Sequence, residues 1–230
     1  MKPMLTALGV AAAAALGLMA STANADIYIG LQQDGLPIPP QIVAFGPNPP
    51  ALPFEWSGSF GNFEGISVDA TGQPSAVPPI LLQSDVKVNN NAGGGAGTLT
   101  VYITSTDNTT PIGSVNFTAG SSAVNLIAPV TESVESYIGP NNGVFELGTL
   151  LGSAFFNSVA SDTDITAAAT GVGPYSVTTV YTFSMPIEAT TNASAGISGV
   201  LAVPEPGSLA LLGVALAGFG ILARRRRRIS

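Results

Sequence analysis

The chain has 230 residues, 46% hydrophobic and only 9% charged, with 27 glycines, 18 prolines and neither cysteine nor histidine. The missing residue types exclude disulfides, thiolate metal sites, cysteine nucleophiles, histidine-based zinc sites and the Ser-His-Asp triad. Between Asp26 and Glu205 lie all fourteen acids against Lys87 alone. A surface of that sign repels phosphate backbones, so nucleic acid is not an expected partner.

The first 25 residues have the layout of a secretory signal peptide. Lys2 gives a positive start, Leu5 to Met19 forms an apolar stretch, and Ala23-Asn24-Ala25 supplies the small-x-small pattern of signal peptidase, with cleavage before Asp26. Residues 26–202 are expected to form one exported body, long enough to bury a core.

Strand signals run through that body. Thr98–Thr104 alternates, with Leu99, Val101 and Ile103 on one face, and Tyr175–Met185 alternates over a longer run, with Tyr175, Val177, Tyr181, Phe183 and Met185 sharing a side. Residues two apart share a face of a strand, and Thr, Val, Ile and Tyr suit a pleated surface. Further expected strands are Asp26–Gln32, Glu55–Phe60, Phe63–Ala70, Ile80–Asn89, Ser114–Ala119, Val144–Leu147, Ser153–Val159 and Ile197–Val203. Asn89–Gly97 reads as a loop, Pro140-Asn-Asn-Gly143 as a tight turn, and Pro37–Pro53 as a long irregular crossing. Short strands at this spacing predict an all-β fold, an antiparallel β-sandwich or jelly-roll-like body.

Chemistry-bearing residues in the body are sparse. Glycoside hydrolysis needs two carboxyl groups flanking one bond. The available pairs are Glu55 with Glu64, Glu132 with Glu135, and Asp162 with Asp164; in a strand the last two point the same way. Asp107-Asn108 and Asp162-x-Asp164 are oxygen-rich, yet neither has the spacing of a calcium loop, and turn formation by Asx side chains explains both. No cofactor, metal or catalytic residue is expected. Phe54-Glu-Trp56-Ser-Gly-Ser-Phe60 sets aromatics beside polar groups, which makes Trp56, the sole tryptophan, a candidate glycan contact, although a lone tryptophan in a β-sandwich is more often a core residue.

The end of the chain has a three-part layout. Val203, Pro204, Glu205 and Pro206 precede an uncharged run, Leu209 to Ala223, and then come Arg224, Arg225, Arg226, Arg227 and Arg228. As a helix the run spans about 22 Å, against about 30 Å of hydrocarbon. Snorkelling arginines and local thinning make crossing feasible from residue 207 to residue 223. The arginines of the basic tail, 224–230, stay cytoplasmic by the positive-inside rule and act as a stop-transfer signal. The prolines keep the motif extended and accessible at the membrane face.

These residues, 203–230, resemble the PEP-CTERM sorting signal. That resemblance implies recognition of Val203–Pro206 by an exosortase, a transpeptidase-like membrane enzyme. It also implies transient residence in the inner membrane of a Gram-negative bacterium that makes exopolysaccharide. The expected product is a cell-surface or matrix protein, a structural or adhesive component of a biofilm or floc, and not an enzyme. The alternatives are a carbohydrate-binding module for the exopolysaccharide and, behind it, a glycoside hydrolase. The fold does not choose among them.

Overall fold

A computed structural model describes residues 25–34, 40–47, 53–72, 79–90 and 95–202. Twelve strands lie among them: β1 (Asp26–Gln33), β2 (Gln41–Pro47), β3 (Phe54–Phe60), β4 (Phe63–Thr71), β5 (Ile80–Asn89), β6 (Gly97–Asn108), β7 (Ser114–Ala123), β8 (Thr131–Gly139), β9 (Thr149–Phe156), β10 (Ala160–Ala169), β11 (Tyr175–Met185) and β12 (Thr190–Leu201). The described residues contain no helix. The expected signal-peptide helix and membrane helix lie outside them.

The strands form two six-stranded antiparallel sheets. One, sheet A, runs β2-β1-β6-β11-β8-β9; the other, sheet B, runs β10-β7-β12-β5-β4-β3. Pairing is nested: β8 with β9, β7 with β10, β6 with β11 and β5 with β12. A long hairpin rolled onto itself gives that nesting, and eight strands so arranged make a jelly roll. Strands β1 and β2 extend sheet A beyond β6, while β4 and β3 extend sheet B beyond β5.

The core lies between the sheets. Ile27, Ile29 and Leu31 from β1, Leu99, Val101 and Ile103 from β6, and Val86 and Val88 from β5 are fully buried within it. Each such side chain is worth roughly 1.5–3 kcal/mol relative to exposure. Tyr181 crosses from one sheet to the other: its Oη lies 2.8 Å from Ser84 Oγ and donates to Ser84 O at 3.1 Å. A buried tyrosine hydroxyl needs such a partner.

Three expectations need correction. The run Pro37–Pro53 is not irregular throughout, because β2 occupies Gln41–Pro47. It is an edge strand with one hydrogen-bonded neighbour, where proline is tolerated. Val144–Leu147 is not a strand; it belongs to a compact turn region between β8 and β9. Strands β8 and β10 were not expected. In β8 the inward positions are Glu132, Val134, Ser136 and Ile138, so polar residues break the apolar alternation. In β10, ASDTDITAAA, small and acidic residues hide the pattern.

Candidate functional site

Strand β12 carries the chain to its sorting end. Its last residue is Leu201, and Ala202 N then donates to Ser114 O at 2.9 Å. The residue just before Val203 is therefore held against the start of β7, and the body ends without a spacer. Val203–Pro206, the 207–223 span and Arg224–Arg228 lie outside the described residues, as does Ala23. Ala25 is buried, and Asp26 opens β1, paired with Pro47.

Trp56 sits on β3, the edge strand of sheet B, opposite the inward-facing Val68. It is half-buried and packs against the core. A Cβ on Gly58 would strike the Trp56 ring at 2.8 Å, so that glycine leaves room for the indole. The ring thus serves packing in the arrangement described.

Strand geometry separates one candidate pair of carboxylates, Glu132 and Glu135, and keeps another, Asp162 and Asp164, together. Glu132 faces the interior and is fully buried, while Glu135, three residues on, faces outward. An odd spacing in a strand puts the two on opposite faces. Both oxygens of Glu132 lack a hydrogen-bond partner among the described residues, and burial pushes its carboxyl up to about 8. Asp162 and Asp164 flank the same small crevice beside β9, where Asp164 Oδ2 accepts Ser153 N at 3.0 Å. Glu55 faces Asp69 across β3 and β4, whereas Glu64 pairs in register with Asn89. Asn108 Nδ2 donates to Ser105 O at 2.9 Å and to Tyr175 O at 3.2 Å, the backbone-satisfying role expected of an Asx side chain. Among the described residues no three acidic side chains converge into a metal site.

The outer face of sheet A carries an aromatic and polar cluster that sequence reasoning missed. Cross-strand register aligns Phe45, Tyr28, Thr104, Thr178, Tyr137 and Leu150 in one row, and Gly30, Tyr102, Val180, Glu135 and Ser153 in the next. Tyr28 stacks on Phe45 with ring centroids 5.9 Å apart. Tyr102 Oη donates to Gln32 Oε1 at 3.1 Å, and Tyr137 Oη donates to Glu135 Oε2 at 2.8 Å. Burial, the bond to Glu135 and the Glu135 charge hold Tyr137 up at about 12; burial and the same charge raise Tyr102. Both hydroxyls therefore stay protonated near neutral pH. The available signal was Tyr102 itself, a large ring at an outward position of a strand whose neighbouring outward residues are threonines.

The turn region between β8 and β9 folds back onto this face. Phe145 lies over Gly30, where a Cβ would collide with its ring, and meets Tyr102 at 5.6 Å between centroids. Its N–H donates to Thr104 Oγ1 at 3.2 Å. Asp107 and Asn142 lock the region reciprocally: Asp107 N donates to Asn142 Oδ1 at 2.7 Å, and Asn142 Nδ2 donates to Asp107 Oδ1 at 2.8 Å. Glu146 accepts from Gly143 N at 2.9 Å and from Asn141 Nδ2 at 2.7 Å. Asp107, Asn142 and Phe145 all have φ between 56° and 59°. Left-handed backbone at non-glycine residues costs of order 1–3 kcal/mol each and persists only where the surroundings enforce it.

The outer face of sheet B differs. Gly120 on β7 and Gly196 on β12 stand directly opposite each other. They floor a trough of about 420 Å³, lined by Gln83, Ser122, Thr163 and Ser194 among others. Ser122 and Ser194 share a hydrogen bond at 2.7 Å. Among the described residues no aromatic side chain lines this trough.

Residues 202–228 match the PEP-CTERM protein-sorting motif. No curated protein matches the chain. Among solved structures, the K1 cleaved adhesin domain of Lys-gingipain (Kgp) from Porphyromonas gingivalis W83 is similar with a TM-score of 0.34 and 10% identity, over 59% of this chain and 84% of that one. TmCBM61 in complex with β-1,4-galactotriose is similar with a TM-score of 0.31 and 7% identity, over 63% of this chain and 92% of that one. The fold assignment rests on this chain's own strand order. A jelly-roll body whose last strand ends at Leu201 is followed in sequence by the matched signal, and the protein carries the PEP-CTERM protein-sorting motif at residues 202–228.

Proposed function

We propose that this protein is exported, processed by an exosortase, and placed at the cell surface or in the extracellular matrix. There its β body acts as a structural or adhesive component of an exopolysaccharide biofilm or floc, and not as an enzyme. The observation that carries this reading is the match of residues 202–228 to the sorting motif. The signal-peptide pattern ending at Ala25 supports it independently, because it sets the same orientation as Arg224–Arg228: body outside, arginines inside.

The experiment is to express Pro204→Ala and Glu205→Ala chains in a host that makes the exosortase. Both precursors are expected to accumulate with Arg224–Arg228 still attached. Processing at the normal rate in both would contradict the reading.

A second reading, a carbohydrate-binding module for the matrix polysaccharide, is favoured by the outer face of sheet A. Aromatic rings there lie beside a carboxylate, an amide and hydroxyls. Ligand sites combine apolar area with a few placed polar groups in this way.

A further inference from the structure

Sheet A turns three of the chain's five tyrosines outward, Tyr28, Tyr102 and Tyr137; the other two, Tyr175 and Tyr181, are buried. Packing accounts for part of this, because Val180, between Tyr102 and Glu135 in the row, is only 6% exposed. A leucine or valine at position 102 would cover Val180 as well. Packing does not account for the polar groups. The Tyr102 and Tyr137 hydroxyls are each held by one partner and keep unused capacity. Tyr102 Oη donates to Gln32 and can still accept. The Gln32 amide nitrogen and the second oxygen of Glu135 have no hydrogen-bond partner among the described residues. Donor and acceptor capacity therefore sits at the edges of rings that are already oriented.

The orientation is enforced from outside the sheet. Phe145 braces the Tyr102 ring, and the turn region that carries Phe145 holds two non-glycine residues at positive φ, Asn142 and Phe145, and is tied through the Asp107–Asn142 pair to a third, Asp107 on β6. A surface that only had to be soluble would need none of this strain. Pre-set rings with satisfied but unsaturated polar neighbours reduce the ordering cost of binding.

The chemistry narrows the occupant. A ring face takes the C–H face of a pyranose, while an amide and a carboxylate oxygen take its hydroxyl edge. Glu135 lies within the patch, and Lys87, the sole cation between Asp26 and Glu205, is on sheet B. Uronate or sulfate groups would meet repulsion without compensation. We infer that the Gln32–Tyr102–Glu135–Tyr137 patch on sheet A binds a neutral polysaccharide strand, with Tyr102 and Tyr137 as the stacking surfaces. This rests on the carbohydrate-binding reading and is independent of how the tail is processed.

The test is affinity electrophoresis of the full chain, purified in detergent, through native gels containing a neutral glucan, mannan or xylan. Alginate serves as the anionic control and oligolysine as a cationic competitor. At least one neutral polymer is expected to retard the protein, and alginate is not. Tyr102→Ala should weaken retardation by roughly tenfold or more, as loss of an aromatic anchor does. Tyr137→Phe and Glu135→Gln keep the packing and should weaken it several-fold with unchanged melting temperature. Gly196→Val, on the opposite face, should leave it intact. The inference is overturned if no neutral polymer retards the chain, if the sheet A variants behave as the parent, if Gly196→Val is the variant that loses binding, or if oligolysine displaces the polymer. Tail processing is read separately by mass, so failure here and failure of sorting are distinguishable.

Discussion

The two outer faces of the sandwich are built from the same strand geometry and present opposite chemistry. Sheet A carries stacked and tilted rings, a carboxylate and a strained turn region that fastens Phe145 over Gly30. Sheet B carries serines, threonines and a cross-strand glycine pair over an open trough. Their glycines teach the difference. Gly30 is required by contact, since any side chain there displaces Phe145. Gly196 is not required: its nearest neighbour to an added Cβ is Leu82 O at 4.0 Å, which is ordinary contact, and it is not among the glycines at positive φ. One glycine serves a locked arrangement; the other keeps a surface empty, at the usual cost of glycine in a strand.

The largest expected effect lies beneath sheet A, at Glu132. Its folded carboxyl is raised from 4.5 to about 8. Below the lower value both folded and unfolded chains hold the proton, and the contribution to stability is complete. As pH rises toward about 8 the unfolded chain releases the proton first, so stability falls by roughly 1.4 kcal/mol per pH unit across that window. Above about 8 the folded form has ionised too and this dependence ends. Glu132→Gln removes the slope. Denaturant melts of parent and variant at pH 5 and pH 8 measure it, and equal slopes would show that Glu132 has a partner or is hydrated.

Next in size is Gly30→Val, which forces the Phe145 ring off sheet A. The expected loss is about 1–3 kcal/mol, typical of overpacking, together with faster proteolysis between residues 140 and 148. The smallest effect is expected from Gly196→Val on sheet B, within about 0.5 kcal/mol of the parent. If the two valines cost the same, the contrast between the faces is wrong; if Gly196→Val stabilises, the empty trough has been kept against the preference of the strand.

The outlines of the fold were legible wherever one face of a strand is apolar. Ile80–Asn89 and Tyr175–Met185 have the observed bounds of β5 and β11, because Leu82, Val86, Val88, Tyr181 and Phe183 alternate with polar residues. The expected strands failed where inward positions are small or polar. In β12 the inward residues are Thr191, Ala193, Ala195 and Ile197, so only its C-terminal part was expected. In β8 a buried glutamate takes a core position, a choice that no period-2 pattern announces. The sorting end is readable from sequence because it is a linear signal in which Pro-Glu-Pro, an apolar span and arginines follow one another. The patch on sheet A draws on β1, β6, β8 and the turn region after β8; cross-strand register brings Gln32, Tyr102 and Glu135 together, and the fold-back of the turn adds Phe145. Rarity marked Trp56 in the sequence, and in the fold its half-buried ring packs against the core from β3.

The most direct test of the central claim, that this is a sorted surface protein, is the intact mass of the mature chain from whole cells and from the medium. The account predicts a chain beginning at Asp26 and ending near Val203–Pro206, with or without an added group at the new terminus. A mature chain that still carries Arg224–Arg228 would contradict it and make the tail a plain membrane anchor.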